Sequence, residues 1–216
     1  MRRLVLVRHG ESNWNAASRI QGQQCAGLSD RGMTQARQVG GALANAYPTA
    51  RVVVSDLRRC RQTAQPLLDA LSIDPVVDPR LRERSFGDWE GRTRDEVERL
   101  DPARWRRWRD HDDDVLAEVG GEPDGVFLAR VEPLLRELLA GTDEGGVTIA
   151  VTHGGPIWHG SHALLGLPVG TLGTVHNASV TELVAWQGPR VVLERWNEVA
   201  HLPVELRVGW RPAVGA

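Results

Sequence analysis

The side chains best suited to chemistry in this sequence stand where short apolar runs end. Arg8 and His9, followed by Gly10, close an apolar run over 4–7. A second run, 51–54, is followed by Ser55, Arg58, Arg59, Arg61 and Thr63. Glu83 lies in a glycine-punctuated loop, 81–91, and His153 precedes Gly154 and Gly155 at the end of a third run, 147–151. Open α/β sheets bind ligands in the crevice beyond the carboxyl ends of their strands. In a parallel arrangement these strand ends emerge on one edge, so two imidazoles, at least two guanidiniums and a carboxyl share a pocket. Guanidinium forks match phosphate oxygens, and a carboxyl there can give or take a proton. The set is suited to a phosphate.

Each residue also has a plainer reading. His9 alone reads as a satisfied core histidine, Arg59 as part of a solvated arginine face with Arg58 and Arg61, and Glu83 as a loop ion pair with Arg82 or Arg84. His153 resists a packing explanation, because the two glycines after it let backbone approach a ligand closely. Three other patterns compete. Cys25 and Arg31 have the C-x5-R spacing of cysteine-dependent phosphatases, but Asp30 would put a carboxylate into the anion cradle and no strand precedes it. His159 and His162, three apart on a helix, have a metal-compatible spacing without a third ligand nearby. His111 with Asp112 to Asp114 reads as a solvated acidic loop. All 26 basic residues are arginine. A Walker-type phosphate loop is therefore excluded, since it needs a lysine.

The elements that must position these groups alternate. Strands are expected at 4–7, 51–54 and 147–151, with at best a short one at 76–77. Helices are expected at 31–46, 58–71, 124–139 and 156–165, the third carrying Val126, Phe127, Val131, Leu134, Leu135 and Leu138 on a 3.6-residue period. Segments 179–185 and 191–196 flank Gln187-Gly188-Pro189 as a hairpin. The fold class expected is α/β: a three-layer α/β/α sandwich with a mostly parallel central sheet, one antiparallel edge strand and a small helical cap insertion. The 216 residues suit a single domain, 1–216, with the cap at about 92–121 and a loose tail from 209. A net charge of −2 argues against nucleic-acid partners. No run approaches membrane-spanning length and no signal-like segment opens the chain, so no membrane partner and a cytoplasmic location are expected.

In order along the chain, Arg8 to Asn15 reads R-H-G-E-S-x-W-N, Ser55 to Thr63 reads S-x-L-x-R-x-x-x-T, Leu81 to Gly91 reads L-x-E-x-x-F-G-x-W-E-G and Val151 to Gly155 reads V-x-H-G-G. Gly120-Gly121-Glu122 and Asn177-Ala-Ser179 extend the pattern. From residue 3 to about 200 the chain resembles the histidine phosphatase superfamily, the phosphoglycerate-mutase-like proteins. The resemblance implies that His9 is a nucleophile forming a phosphohistidine, which divides one hard displacement into two easier ones. It implies a phosphate clamp of Arg8, Arg59 and His153, with Asn15 and the Gly154 amide as further donors and contacts from Gln21 and Gly22. Glu83 corresponds to the proton donor for the leaving alkoxide. Fixed cations take the place of a metal, so neither metal nor cofactor is expected.

The loop 21–28 departs from the family pattern, with Cys25 for an aspartate and Gly27 for a proline, and should be more flexible. Chain length and the F-G-D-W-E-G loop favour a phosphatase over a cofactor-dependent phosphoglycerate mutase; a non-catalytic phospho-ligand binding module is the third reading. The substrate expected is a small polar or carboxylated phosphomonoester, with phosphoglycerate-derived sugar esters as one subfamily. Arg106 or Arg107 is expected to meet a second anionic group on it. An edge strand near the C-terminus allows a homodimer. Residues near His201 are expected to shape the pocket.

Overall fold

A computed structural model describes residues 1–24, 27–110, 112–186 and 190–207. Six strands form one sheet: β1 (Arg2–Arg8), β2 (Arg51–Val54), β3 (Val76–Val77), β4 (Val147–Thr152), β5 (Val180–Ala185) and β6 (Val191–Glu198). Their order is β3-β2-β4-β1-β5-β6. β1, β2, β3 and β4 are mutually parallel, and β5 is antiparallel to both β1 and β6. The opposing strand is thus one position in from the edge. β6 completes the hairpin outside it, where a single antiparallel edge strand was expected. The expected turn at Gln187 to Pro189, the tail from 209, Cys25 and His111 lie outside the described residues.

A short helix, α1 (Asn13–Ala16), follows β1, and the sheet is covered on both faces. In β1, Val5 and Val7 point into one core with Val39 and Leu43 of α2 (Asp30–Ala46) and Ala64 and Leu67 of α3 (Arg58–Leu71). Leu4 and Leu6 point the other way, onto Val131, Leu134 and Leu135 of α7 (Asp124–Ala140) and Ile157 of α8 (Gly154–Leu165). This two-residue alternation, with both faces apolar, is what a central strand under two helical layers requires. Each such fully buried aliphatic side chain is worth roughly 1.5–3 kcal/mol.

Residues 92–121 fold as three short helices, α4 (Arg94–Leu100), α5 (Pro102–Arg109) and α6 (Asp114–Glu118). They share a third core, in which Trp89 meets Val97, Trp105, Val115 and Leu116. Trp105 and Trp108 stack 5.1 Å apart, and Trp89 lies 5.9 and 5.7 Å from them. Among the described residues, no helix is long and apolar enough to cross a membrane.

Candidate active site

The parallel strands deliver their ends to one place. β1 ends at Arg8 and β4 at Thr152, paired in register. The His9 amide continues the ladder onto the Thr152 carbonyl at 2.9 Å, so His9 and His153 stand side by side with ring centroids 5.1 Å apart. Arg59, in the first turn of α3, is fully buried beside both rings.

The hydrogen bonds settle the protonation of His9. Its Nδ1 lies 2.7 Å from the Gly10 carbonyl, which can only accept, so Nδ1 carries the proton. Its Nε2 faces Arg59 Nε at 3.2 Å, a donor, so Nε2 presents a lone pair. Arg59 Nε also reaches His153 Nδ1 at 3.1 Å, while His153 Nε2 meets Ser55 Oγ at 3.0 Å. Burial, and then the Arg59 and Arg8 cations, push the His9 imidazolium well below its ordinary 6.5. Burial and Arg59 do the same to His153. Both rings are therefore neutral near pH 7.

The outer donors of Arg59 hold a loop. Its terminal nitrogens donate to the carbonyls of Gln24 at 2.9 Å and Gly22 at 2.7 Å. Glu90 fixes the same loop by accepting the amides of Gln23 and Gln24, and it also accepts the Phe86 amide. Gly22 has φ +52°, and a Cβ there would stand 1.9 Å from Glu90 Oε1, so only glycine permits this contact.

Glu83 makes neither of the ion pairs expected of a simple loop carboxylate. Arg82 pairs with Asp56 at 2.5 Å, and Arg84 pairs with Asp113 and Asp124. The Glu83 carboxylate instead accepts the Arg84 amide at 2.9 Å and the Gly155 amide at 3.1 Å. Because Arg84 draws Asp113 inward, residues 112–114 are not simply the solvated acidic loop expected.

A cavity of about 750 Å³ joins these groups. Arg8, His9, Arg59 and Glu83 line its inner end, with Asn15, Gln21 and Gly22 beside them, and Arg19, Phe86, Arg94 and Trp108 form its outer wall. His153 stands behind His9. Gly154 opens α8 beside Arg8, on a neighbouring cavity of about 580 Å³ that also carries Trp158 and His159. Asn15 Oδ1 is committed to the Ser12 amide and to Asn177 Nδ2, which also donates to the His9 carbonyl. Asn177 thereby braces the site.

Arg106 and Arg107 do not line the cavity. Both are exposed on the far face of α5, and Arg107 is paired with Asp112 and Glu118. Arg94 and Arg19 are the outer cations. Arg94 forms no ion pair among the described residues, whereas Arg19 meets Glu96 at 3.2 Å. Among the described residues no group of side chains could hold a metal ion. His162 is spent on the Trp158 carbonyl and the Leu172 amide, and His159 packs on Phe127 and Trp158. His201 meets the Ala178 carbonyl at 2.9 Å, supporting the Asn177 segment from behind.

Sequence reading missed Glu90, Glu122 and Arg130 as supports of the site. Glu90 and Glu122 belong to the motifs, but Arg130 carries no local signal that separates it from an exposed helix arginine.

Comparison with known proteins identifies the family. A glucosyl-3-phosphoglycerate phosphatase of Mycolicibacterium vanbaalenii is 41% identical over 221 residues, covering 94% of this chain and 97% of the relative. One from Mycobacterium tuberculosis (strain H37Rv) is 38% identical over 218 residues, covering 93% and 96%. A solved mycobacterial glucosyl-3-phosphoglycerate phosphatase in complex with VO3 superposes with a TM-score of 0.78 at 37% identity, covering 92% of this chain and 100% of that one. The model of the histidine phosphatase superfamily (branch 1) matches residues 4–199, from β1 through β6, and the chain belongs to that superfamily.

Proposed function

We propose that this histidine phosphatase hydrolyses a carboxylated phosphomonoester, a glucosyl-3-phosphoglycerate-like sugar ester, through a phosphohistidine on His9 and without a metal. The observation that carries the reading is the His9 ring itself: neutral, protonated on Nδ1, with the Nε2 lone pair at the inner end of a cationic cavity. In the first step Nε2 attacks phosphorus, the ester P–O bond breaks, and Glu83 gives its proton to the departing alkoxide. In the second, Glu83 takes a proton from water as the water oxygen attacks phosphorus. The P–N bond breaks, phosphate leaves, and both residues return to their starting states. Arg8 and Arg59 stabilise the charge spread over the equatorial oxygens, which is most of what phosphoryl transfer needs, whereas His153, behind His9 with its ring nitrogens bonded to Arg59 and Ser55, supports them by holding Arg59 in place.

The relatives named as glucosyl-3-phosphoglycerate phosphatases support a sugar ester of phosphoglycerate over the mutase alternative. Arg94 is suited to a substrate carboxylate, and the Phe86–Trp108 wall to a sugar face. We read the chain as one domain whose segment 92–121 acts as a cap, since Thr93, Arg94, Asp95 and Trp108 supply part of the cavity wall. The reading includes a cytoplasmic enzyme with a small-molecule partner and a homodimer formed through edge strand β6.

The test is hydrolysis of glucosyl-3-phosphoglycerate and of p-nitrophenyl phosphate in excess EDTA. Wild type should turn over both, and His9→Ala should lose at least ~10³-fold in kcat. Retained turnover in His9→Ala overturns the nucleophile. Loss of activity in EDTA overturns metal independence. Phosphoglycerate interconversion that requires a bisphosphorylated primer would establish the mutase instead.

A further inference from the structure

Helix α7 lies behind the Glu83 loop and contributes to it through one residue that takes no part in the steps above. Arg130 has five N–H donors, the full complement of a guanidinium, and all five are used. Its Nε donates to Glu122 Oε1 at 2.6 Å, and one terminal nitrogen donates to Glu122 Oε2 at 2.8 Å and to the Glu83 carbonyl at 2.9 Å. The other terminal nitrogen donates to the carbonyls of Arg80 at 2.9 Å and Arg82 at 2.8 Å. Three carbonyls within a four-residue stretch are thus gathered on one rigid plane, with Glu83 at its end. Glu122 closes the arrangement on the other side, because its Oε2 also accepts the Ser85 amide at 3.0 Å. The backbone is therefore gripped on both sides of the Glu83 side chain.

The same helix supplies two further supports. Phe127, one turn earlier, lies beneath the guanidinium at 4.9 Å and abuts the position of Gly155, whose amide holds the Glu83 carboxylate. Asp124, another turn back, pairs with Arg84. Residues 124, 127 and 130 fall on one face of a helix, and that face forms a backing for the Glu83 loop. A lysine has three donors on a single nitrogen and cannot reproduce the planar fork.

We propose that Arg130, with Glu122 as its counter-ion, is a positioning residue that fixes the Glu83 carboxyl at the distance from the leaving oxygen required for proton transfer. The inference rests on the reading of Glu83 as the general acid. Since a positioned acid contributes about 10²–10⁴-fold, loosening it should slow esters that need protonation far more than those that do not.

The experiment measures kcat/KM for glucosyl-3-phosphoglycerate, a poor-leaving-group alkyl ester, and for p-nitrophenyl phosphate, in Arg130→Met, Glu83→Gln and the double variant. Arg130→Met should lose at least ~10-fold more on the alkyl ester than on the aryl ester. In the Glu83→Gln background the same change should cost less than about threefold on either, because residues acting through one group are not additive. Arg130→Lys should restore folding stability without restoring the alkyl-ester rate, and it takes the place of Arg130→Met if that variant does not fold. Equal slowing of the two esters, or full additivity with Glu83→Gln, overturns the positioning role while leaving the acid in place. A Glu83→Gln variant that slows both esters equally overturns the acid reading, and the inference with it.

Discussion

At the scale of single residues, the site depends on which nitrogen of His9 keeps its proton. The Gly10 carbonyl makes that choice, and Arg59 enforces it from the opposite side. These residues were legible in the sequence because they sit at strand ends, where the motif order and the expected parallel sheet point to the same edge. Gly155 was legible as a glycine needed for close approach, but the group that approaches is Glu83. A Cβ at 155 would stand 2.1 Å from Glu83 Oε1 and 3.2 Å from Phe127 Cζ. Gly155→Ala should therefore displace Glu83, the proposed acid, and slow alkyl-ester turnover by about 10–100-fold, with a stability loss of about 1–3 kcal/mol from overpacking. Steady-state kinetics and a urea titration check both; an alanine variant with wild-type rates would show that the loop yields without consequence.

At the scale of elements, the loops around the cavity are held by partly buried carboxylates. Glu90 accepts three amides and the Ser85 hydroxyl, joining loop 22–24 to the Glu83 loop. Glu90→Ala should leave those amides short of partners, at about 1–3 kcal/mol each where water cannot replace them. Because the freed loop carries the Gly22 and Gln24 carbonyls that orient Arg59, phosphate should inhibit the variant more weakly, by roughly tenfold, about 1.4 kcal/mol. An unchanged inhibition constant in a destabilised variant would restrict Glu90 to a structural role. The helices and strands themselves followed from periodicity, with α3 and β2 at the bounds expected. What periodicity could not show was which side chain of a helix reaches across the fold. Arg106 and Arg107 were expected at a second anion because the Trp105-Arg106-Arg107 run resembles the arginine pair of the related mutases, yet their face of α5 turns away from the cavity and Arg94 of α4 lines it. The roles of Arg130 and Glu122 depend on contacts made 37 to 50 residues apart, which no local pattern encodes.

At the scale of the whole molecule, the arrangement that keeps the rings neutral also makes folding depend on pH. His9 and His153 are depressed well below 6.5, chiefly by burial, and burial also lowers His159, His176 and His201. Above that ordinary value these groups are neutral both folded and unfolded, and stability is complete. As the pH falls below it, the unfolded chain binds protons that the fully buried rings of His9 and His153 refuse, so stability decreases by up to about 1.4 kcal/mol per pH unit for each of these two. Urea midpoints should hold above about pH 6.5 and fall steadily from there to about pH 5.5; a flat profile would contradict neutral buried histidines. The packed trio of Trp89, Trp105 and Trp108 has a different consequence. Only its Trp108 member faces the cavity, and indoles 5.1 to 5.9 Å apart share their excitation. Under the proposed function, a sugar ring resting on Trp108 should alter the emission of all three, and the same cavity wall would then serve as an optical reporter of the ligand's arrival.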